Sequence, residues 1–236
     1  MRVLSINVMF NDIYIRERHS ALVDAILNDE MECDIICLQE VMRPCSAWFE
    51  QALAVRYKCA VRVPNTRVYG EMVFHSPNVS VSSVECIPLQ SQMGRALQVV
   101  NIATGGRVIT FHLESYAGKA SYGIRAAQLR VLFDTMRASP GWCIACGDTN
   151  IPDKVLALPR GIEDAWESVG SPAEYAFTFN ADRFWERPGK KRYDRMFTSG
   201  IKCVGWGSLG HDPIINDPPV WLSDHDGIIF IGVPQK

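Results

Sequence analysis

The sequence predicts a layered α/β domain, and three observations predict it. Apolar runs of strand length recur along the chain, amphipathic segments of helical spacing separate them, and several runs terminate in polar groups: Asn7, Glu40, Asp148-Thr149-Asn150 and Ser223-Asp224-His225. Runs of the first kind suit sheets covered on both faces, the second suit covering helices, and the layers must bury one another's apolar faces. The 236 residues fall within the size of one large domain, and no outer piece carries an independent core, so residues 1–236 are expected to form a single domain.

The elements follow in order. Val3-Leu4-Ser5-Ile6-Asn7-Val8 reads as a strand, and residues 13–28 as an amphipathic helix. Asp34-Ile35-Ile36-Cys37-Leu38 is a second strand that carries Gln39-Glu40 to the rim of the sheet. Trp48, Phe49, Leu53 and Val55 mark a second helix and its exit, before strands over 59–63 and 71–74 with a turn at Pro64-Asn65 between them. Strands over 79–87 and 96–102 precede a tight reversal at Gly105-Gly106 and a strand over 107–113. Ala126, Leu129, Leu132, Phe133 and Met136 share one face of a helix over 124–137. Trp142 to Cys146 forms a buried strand ending at Gly147-Asp148-Thr149-Asn150, after which Pro152 discourages an immediate helix. A helix over 163–169 and short strands over 177–179, 193–198 and 228–233 complete the series, with 188–189 and 207–219 read as rim loops.

Composition narrows the class. An apolar share of 47% with 21% charged residues excludes a mostly disordered chain, and the length excludes a disulfide-stapled miniprotein. Lys plus Arg number 24 against 26 Asp plus Glu, a net charge of -2, so any nucleic-acid partner must meet a local basic surface. The eight cysteines sit largely in apolar runs and are expected to be reduced packing thiols; Cys143 and Cys146 have the spacing of a metal or redox pair, but no second pair completes a zinc site. No apolar run approaches the roughly 20 residues of a membrane span, and the first residues lack a signal peptide's basic and apolar regions. The expectation is an intracellular protein without a membrane partner.

The polar strand ends carry the chemistry. Glu40 and Asp148 offer hard anionic oxygens, and Asn7, Asn150 and Asp224 offer further oxygen ligands or hold water and substrate, a set that suits Mg2+ or Mn2+. Asp194 and His225 supply a second half, in which a carboxylate orients an imidazole whose other nitrogen meets phosphate charge; His112 ends a strand where it meets substrate. Read singly, each of these is equally a loop cap or a structural histidine. Function requires that they converge.

Ser5-Ile6-Asn7, Leu38-Gln39-Glu40, Gly147-Asp148-Thr149-Asn150, Arg192-Tyr193-Asp194-Arg195 and Ser223-Asp224-His225, in that order, resemble the endonuclease/exonuclease/phosphatase superfamily. With His112-Leu113-Glu114-Ser115 and the Pro172 to Phe179 region, the resemblance spans nearly the whole chain and is strongest to the tyrosyl-DNA phosphodiesterases of that superfamily. It implies a four-layer α/β/β/α sandwich with two central mixed sheets. It also implies magnesium-dependent hydrolysis, with Mn2+ as a substitute, of the bond between a DNA 5' phosphate and the tyrosine left by a trapped topoisomerase. The expected partner is then a single-stranded DNA end bearing a tyrosyl or tyrosyl-peptide adduct, and the expected compartment the nucleus of a eukaryote, otherwise the cytoplasm.

By this resemblance Glu40 is the principal metal ligand, supported by Asn7, Asp148, Asn150 and Asp224. Asp148 activates water, Asn150 orients phosphate or water, His225 held by Asp194 stabilises the transition state, and His112 contacts phosphate. Arg95 and Ser115 are expected phosphate contacts and Phe179 an apolar wall. The chain departs from the family where Phe179-Asn180 replaces a Trp-Asp pair, and where Ala117 and Pro152 stand in regions that commonly carry arginines. Lys119, Arg125, Arg183, Arg187, Lys190 and Lys191 are the candidates to replace that lost charge. The departures keep two alternatives open: an abasic-site or general nucleic-acid phosphodiesterase with the same metal, and a phosphate- or nucleic-acid-binding module without turnover.

Overall fold

The computed structural model describes residues 1–116, 118–152, 156–185 and 189–235, with Lys119 described by its backbone. The first half of the chain forms β1 (Arg2–Asn7), α1 (Ile15–Leu27), β2 (Ile35–Met42), α2 (Arg43–Leu53), β3 (Lys58–Val61), β4 (Tyr69–His75), β5 (Val81–Pro88), β6 (Ala96–Ile102) and β7 (Arg107–His112). The second half forms α3 (Lys119–Arg137), β8 (Cys143–Asp148), β9 (Glu163–Asp164), α4 (Ala165–Ser168), β10 (Phe179–Asn180), β11 (Lys190–Lys191), β12 (Asp194–Ser199), β13 (Ile201–Leu209), β14 (Ile215–Asn216), β15 (Pro219–Val220) and β16 (Gly227–Pro234).

Two six-stranded sheets result, ordered β13-β16-β1-β2-β4-β3 and β5-β6-β7-β8-β12-β9. Each is mixed: β1 and β2 run parallel in the first, β7 and β8 in the second, and the other neighbours are antiparallel. Side-chain alternation then builds the layers. Val3, Cys37, Val73 and Phe230 of the first sheet pack against Val108, Ile144, Cys146 and Met196 of the second. The intervening residues Leu4, Ile6, Ile36 and Leu38 face outward onto Leu22 and Ile26 of α1 and Phe49 and Leu53 of α2. Across the molecule, Val99, Ile109, Phe111 and Phe197 meet Leu129, Leu132, Phe133 and Met136 of α3. The fold is therefore the four-layer α/β/β/α sandwich with two mixed sheets that the resemblance implies.

Three local expectations are corrected. Glu163 and Asp164 do not open a helix: they pair with Thr198 and Phe197 of β12, and the helix is only Ala165–Ser168, started by Asp164 accepting from the Trp166 N–H at 3.2 Å. The region expected to be a rim loop from Gly207 begins inside β13, an edge strand that pairs with β16 from Ile201 to Leu209. Gly207 misleads because it reads as a loop residue, yet it pairs with Ile229 in the sheet, where a Cβ would stand 3.7 Å from that neighbour. Lys190–Lys191, which carry no strand signal in the sequence, pair with Asn180 and Phe179.

All eight cysteines are free. Cys143 packs toward α3 and Cys146 toward the space between the sheets, so the pair points to opposite faces, as an odd spacing on a strand requires. Among the described residues no helix is long and apolar enough to cross a membrane.

Candidate active site

Strand register delivers the polar residues to one rim. The parallel pairing of β7 and β8 sets His112 opposite Asp148, and the antiparallel pairing of β8 and β12 sets Asp148 opposite Asp194. On the first sheet, β1 ends at Asn7 and β2 passes through Glu40. The register of β2 with β4 breaks between Leu38 and Val41, and Glu40 adopts φ +61°. This bulge separates two residues that the sequence pattern sends to the rim together. Gln39 turns inward, where its Nε2 donates to Ser5 Oγ at 3.1 Å and to Thr110 Oγ1 of the opposite sheet at 2.9 Å, while Glu40 turns into the cleft. A left-handed conformation at a residue with a Cβ costs about 1–3 kcal/mol, so the surroundings hold Glu40 there.

The side chains interlock across the two sheets. Asn7 Nδ2 donates to Asp148 Oδ2 at 3.3 Å, and Asp148 Oδ1 accepts from the Asn150 N–H at 2.7 Å. Asn150, at φ +51°, donates its own Nδ2 to the Leu113 carbonyl at 3.3 Å. Glu40 Oε2 accepts from the Phe10 N–H at 3.0 Å. His225 Nδ1 meets Asp194 Oδ2 at 2.7 Å, and its Nε2 faces Asp148 Oδ2 at 3.8 Å and Asp224 Oδ1 at 4.0 Å. His112 Nε2 lies 3.2 Å from Arg95 Nη2 and 3.4 Å from Asp148 Oδ2, with Nδ1 3.7 Å from Glu40 Oε1. Arginine only donates, so at its shorter contact Nε2 accepts, and the imidazole proton sits on Nδ1 toward Glu40.

Charge follows from this crowding. Burial pushes Glu40 up to about 7, against the pull of His225 and the Phe10 N–H, with Asp148 and Asp224 adding to the rise. Burial likewise raises Asp148 to about 6, opposed by His225 and assisted by Asp194. His225 is depressed by burial, but the charge and hydrogen bond of Asp194, with Asp224 and Asp148, outweigh it and hold the imidazole well above its ordinary value. His112, buried beside Arg95 and His225, is held well below. The site thus pushes its two histidines in opposite directions, His225 toward the protonated form and His112 toward the neutral one.

The groups surround a cleft of about 550 Å3 lined by Glu40, His112, Asp148, Asn150, Asp224 and His225, with Ser115 at its edge. Phe179 stands on its wall, its ring 5.0 Å from His225 and 5.1 Å from Tyr193. The lining contains four carboxylates, counting Asp12, and no lysine or arginine among the described residues. Four carboxylates with His225 as the one imidazole held toward its charged form fit a divalent cation with oxygen ligands. Asp148, Asp194 and His225 also bring ligand atoms within 4.8 Å of one another, but the Nδ1 of His225 is already committed to Asp194.

Several expected phosphate contacts are placed elsewhere. Arg95 is only 3% exposed, with its Nη2 3.2 Å from His112 Nε2. Arg125 is spent on the Glu114 and Tyr116 carbonyls, and Arg183 on Asp226 at 2.7 Å. Lys190 and Lys191 lie on β11 beside the Phe179 wall. Ala117, Arg187 and the Lys119 side chain lie outside the described residues.

Sequence reasoning missed two supports. Arg18 is fully buried and donates to the carbonyls of Val8, Met9, Asn11, Ile13 and Leu222, clamping the loop after β1; its place in the periodic stripe of α1 is the only sequence signal. Trp185 lines the cleft and donates its indole N–H to Asp224 Oδ2 at 2.9 Å, without a motif to mark it.

Comparison with known proteins agrees with this geometry. Tyrosyl-DNA phosphodiesterase 2 of Bos taurus is 31% identical over 178 residues, covering 70% of this chain and 48% of that protein; the chain spans about half the length of the curated relatives it matches. The crystal structure of the Caenorhabditis elegans tyrosyl-DNA phosphodiesterase 2 superposes with a TM-score of 0.83 at 26% identity, covering 98% of this chain and 74% of that one. The Danio rerio protein, solved with a single-strand DNA product, gives a TM-score of 0.85 at 22% identity over 99% of this chain and 98% of that one, a likeness of fold. The model of the Endonuclease/Exonuclease/phosphatase family matches residues 4–225, from the first strand to the imidazole paired with Asp194, and the chain belongs to that family.

Proposed function

We propose that the chain is a divalent-metal-dependent phosphodiesterase that hydrolyses 5'-tyrosyl-DNA, acting on single-stranded ends left by trapped topoisomerases. The observation that carries the reading is the meeting of Glu40, Asp148 and His225, the last paired with Asp194 at 2.7 Å, in one aromatic-walled cleft. Curated relatives named for this activity support the substrate class.

Glu40, assisted by Asn7, Asp148, Asn150 and Asp224, would hold Mg2+ or Mn2+, which supplies Lewis-acid stabilisation of the phosphate oxygens. Asp148 orients and deprotonates the attacking water, and Asn7 and the Asn150 N–H keep its carboxylate aimed. The water oxygen bonds to phosphorus as the bond from phosphorus to the tyrosyl oxygen breaks, leaving 5'-phosphorylated DNA and tyrosine or a tyrosyl peptide. His225, kept protonated by Asp194, donates to a phosphoryl oxygen as charge grows there. Neutral His112 is held by Arg95 so that its Nδ1–H faces Glu40, where it meets a ligand or phosphate oxygen. Ser115 contributes a hydroxyl at the edge and Phe179 a face for a base or the tyrosyl ring. In a eukaryote such a substrate puts the enzyme in the nucleus.

The cleft lining without lysine or arginine among the described residues favours one second reading, a phosphodiesterase of the same chemistry acting on abasic or ordinary nucleic-acid ends. Hydrolysis of a 5'-tyrosyl single strand, an abasic duplex and an aryl phosphate, each with Mg2+ or chelator, separates these. We expect metal-dependent turnover fastest on the tyrosyl strand, and a fall in kcat of about 10²–10³ for Glu40→Gln and for Asp148→Asn with folding intact. Preference for the abasic duplex selects the second reading. No turnover by folded protein on any of the three leaves a binding module.

A further inference from the structure

Asp224 enters the cleft from the loop before β16. Its Oδ2 accepts from the indole Nε1 of Trp185 at 2.9 Å, whereas Oδ1 faces His225 Nε2 at 4.0 Å, and the neighbouring Ser223 hydroxyl spends its one proton on the Asn7 carbonyl at 2.6 Å. That indole is 41% exposed on the cleft wall, so burial alone does not account for its position. Its backbone is fixed from both directions. The Trp185 N–H donates to the Ala181 carbonyl at 2.9 Å, and neighbouring Arg183 ties the same turn to the Ser223 carbonyl at 3.3 Å and to Asp226 at 2.7 Å. The turn that carries the indole is thus anchored on both sides of Asp224 in sequence.

We propose that Trp185 is a positioning residue of the centre: its single N–H fixes the Asp224 carboxylate so that the remaining lone pairs face the cation site. The inference rests on the part of that reading that makes the cleft a divalent-metal site. A carboxylate rotates broadly about its last torsion, so without a donor on Oδ2 its ligating direction is lost to rotation. A hydrogen bond to a charged oxygen is stronger than a neutral one, and indole offers that donor and no acceptor to compete.

Trp185→Phe keeps the ring and removes the donor; Trp185→Leu removes both. Mn2+ binding to each purified protein, read by electron paramagnetic resonance in the absence of any nucleic acid, tests the role directly. Both variants are expected to bind Mn2+ about tenfold more weakly than the wild type, with unchanged thermal unfolding in chelator. At saturating Mn2+, Trp185→Phe should recover kcat and KM to within about threefold, and Trp185→Leu should raise KM alone. If Trp185→Phe binds Mn2+ as tightly as the wild type, the indole is only a wall and the proposal falls. If the wild type turns over no phosphodiester while the Mn2+ difference persists, the proposed function fails and the role of Trp185 stands. A wild-type protein that binds no Mn2+ overturns both.

Discussion

Asp194 decides how His225 titrates. The 2.7 Å contact holds the imidazole protonated well above its ordinary range, and that proton is lost as pH rises through the folded value. Asp194→Asn keeps the shape and removes the charge, so the alkaline limb of the kcat profile should move to lower pH by about one unit or more, since one unit corresponds to only about 1.4 kcal/mol of interaction. An unmoved limb would assign that limb to another group. This pair is legible in the sequence, because each member stands in a motif. The burial of Arg95, 3% exposed, and its contact with the His112 imidazole are not legible, because Arg95 stands just before β6 and His112 ends β7. Arg18 and Trp185 have no such signal, since their roles depend on what lies near them in space and not in sequence.

At the level of elements, close approach of strands sets the site more than strand identity does. Gly147, at φ +150°, lies opposite Phe111, and a Cβ there would stand 1.8 Å from the Phe111 carbonyl oxygen. Gly147→Ala must therefore push apart the two strands that carry His112 and Asp148, and is expected to destabilise the fold by about 3 kcal/mol or more in chemical denaturation. Gly123 in α3 meets nothing within 4 Å, so Gly123→Ala should instead stabilise by about 0.5–1 kcal/mol. Most strands are readable from apolar runs, and β6 matches its expected span from Ala96 to Ile102. The misread elements share a cause: β13 is an edge strand whose glycines imitate a loop, and β9 is too short to have a period. The bulge at Glu40 is equally hidden, because nothing in Gln39-Glu40 announces the register break or the left-handed backbone that aims Glu40 into the cleft.

The whole molecule should register the cost of gathering these carboxylates. Glu40 and Asp148 bind protons more tightly when folded than the ordinary values of 4.5 and 3.8, so their contribution to stability declines as pH rises toward about 7 and about 6 respectively. A divalent cation competes with those protons for the same oxygens. Thermal unfolding with and without Mg2+ should thus show a larger stabilisation at pH 7.5 than at pH 5.5. At roughly a hundredfold excess over Kd the gain would approach about 2.7 kcal/mol, and each kcal/mol moves Tm by about 2–4 °C in a chain of this size. An equal shift at both pH values would mean that the cation binds away from Glu40 and Asp148.

Asn7, Glu40 and His225 belong to one sheet and its approach to β16, while His112, Asp148 and Asp194 belong to the other. The reaction centre is accordingly a seam, held shut by the bridge from Gln39 to Thr110 and by Asn7 on Asp148. Sliding of one half over the other by a fraction of a strand repeat would disassemble it while leaving both ladders whole. Turnover should vanish in mild denaturant before circular dichroism changes, which makes catalysis a finer gauge of the alignment of the two halves than any spectrum of the backbone.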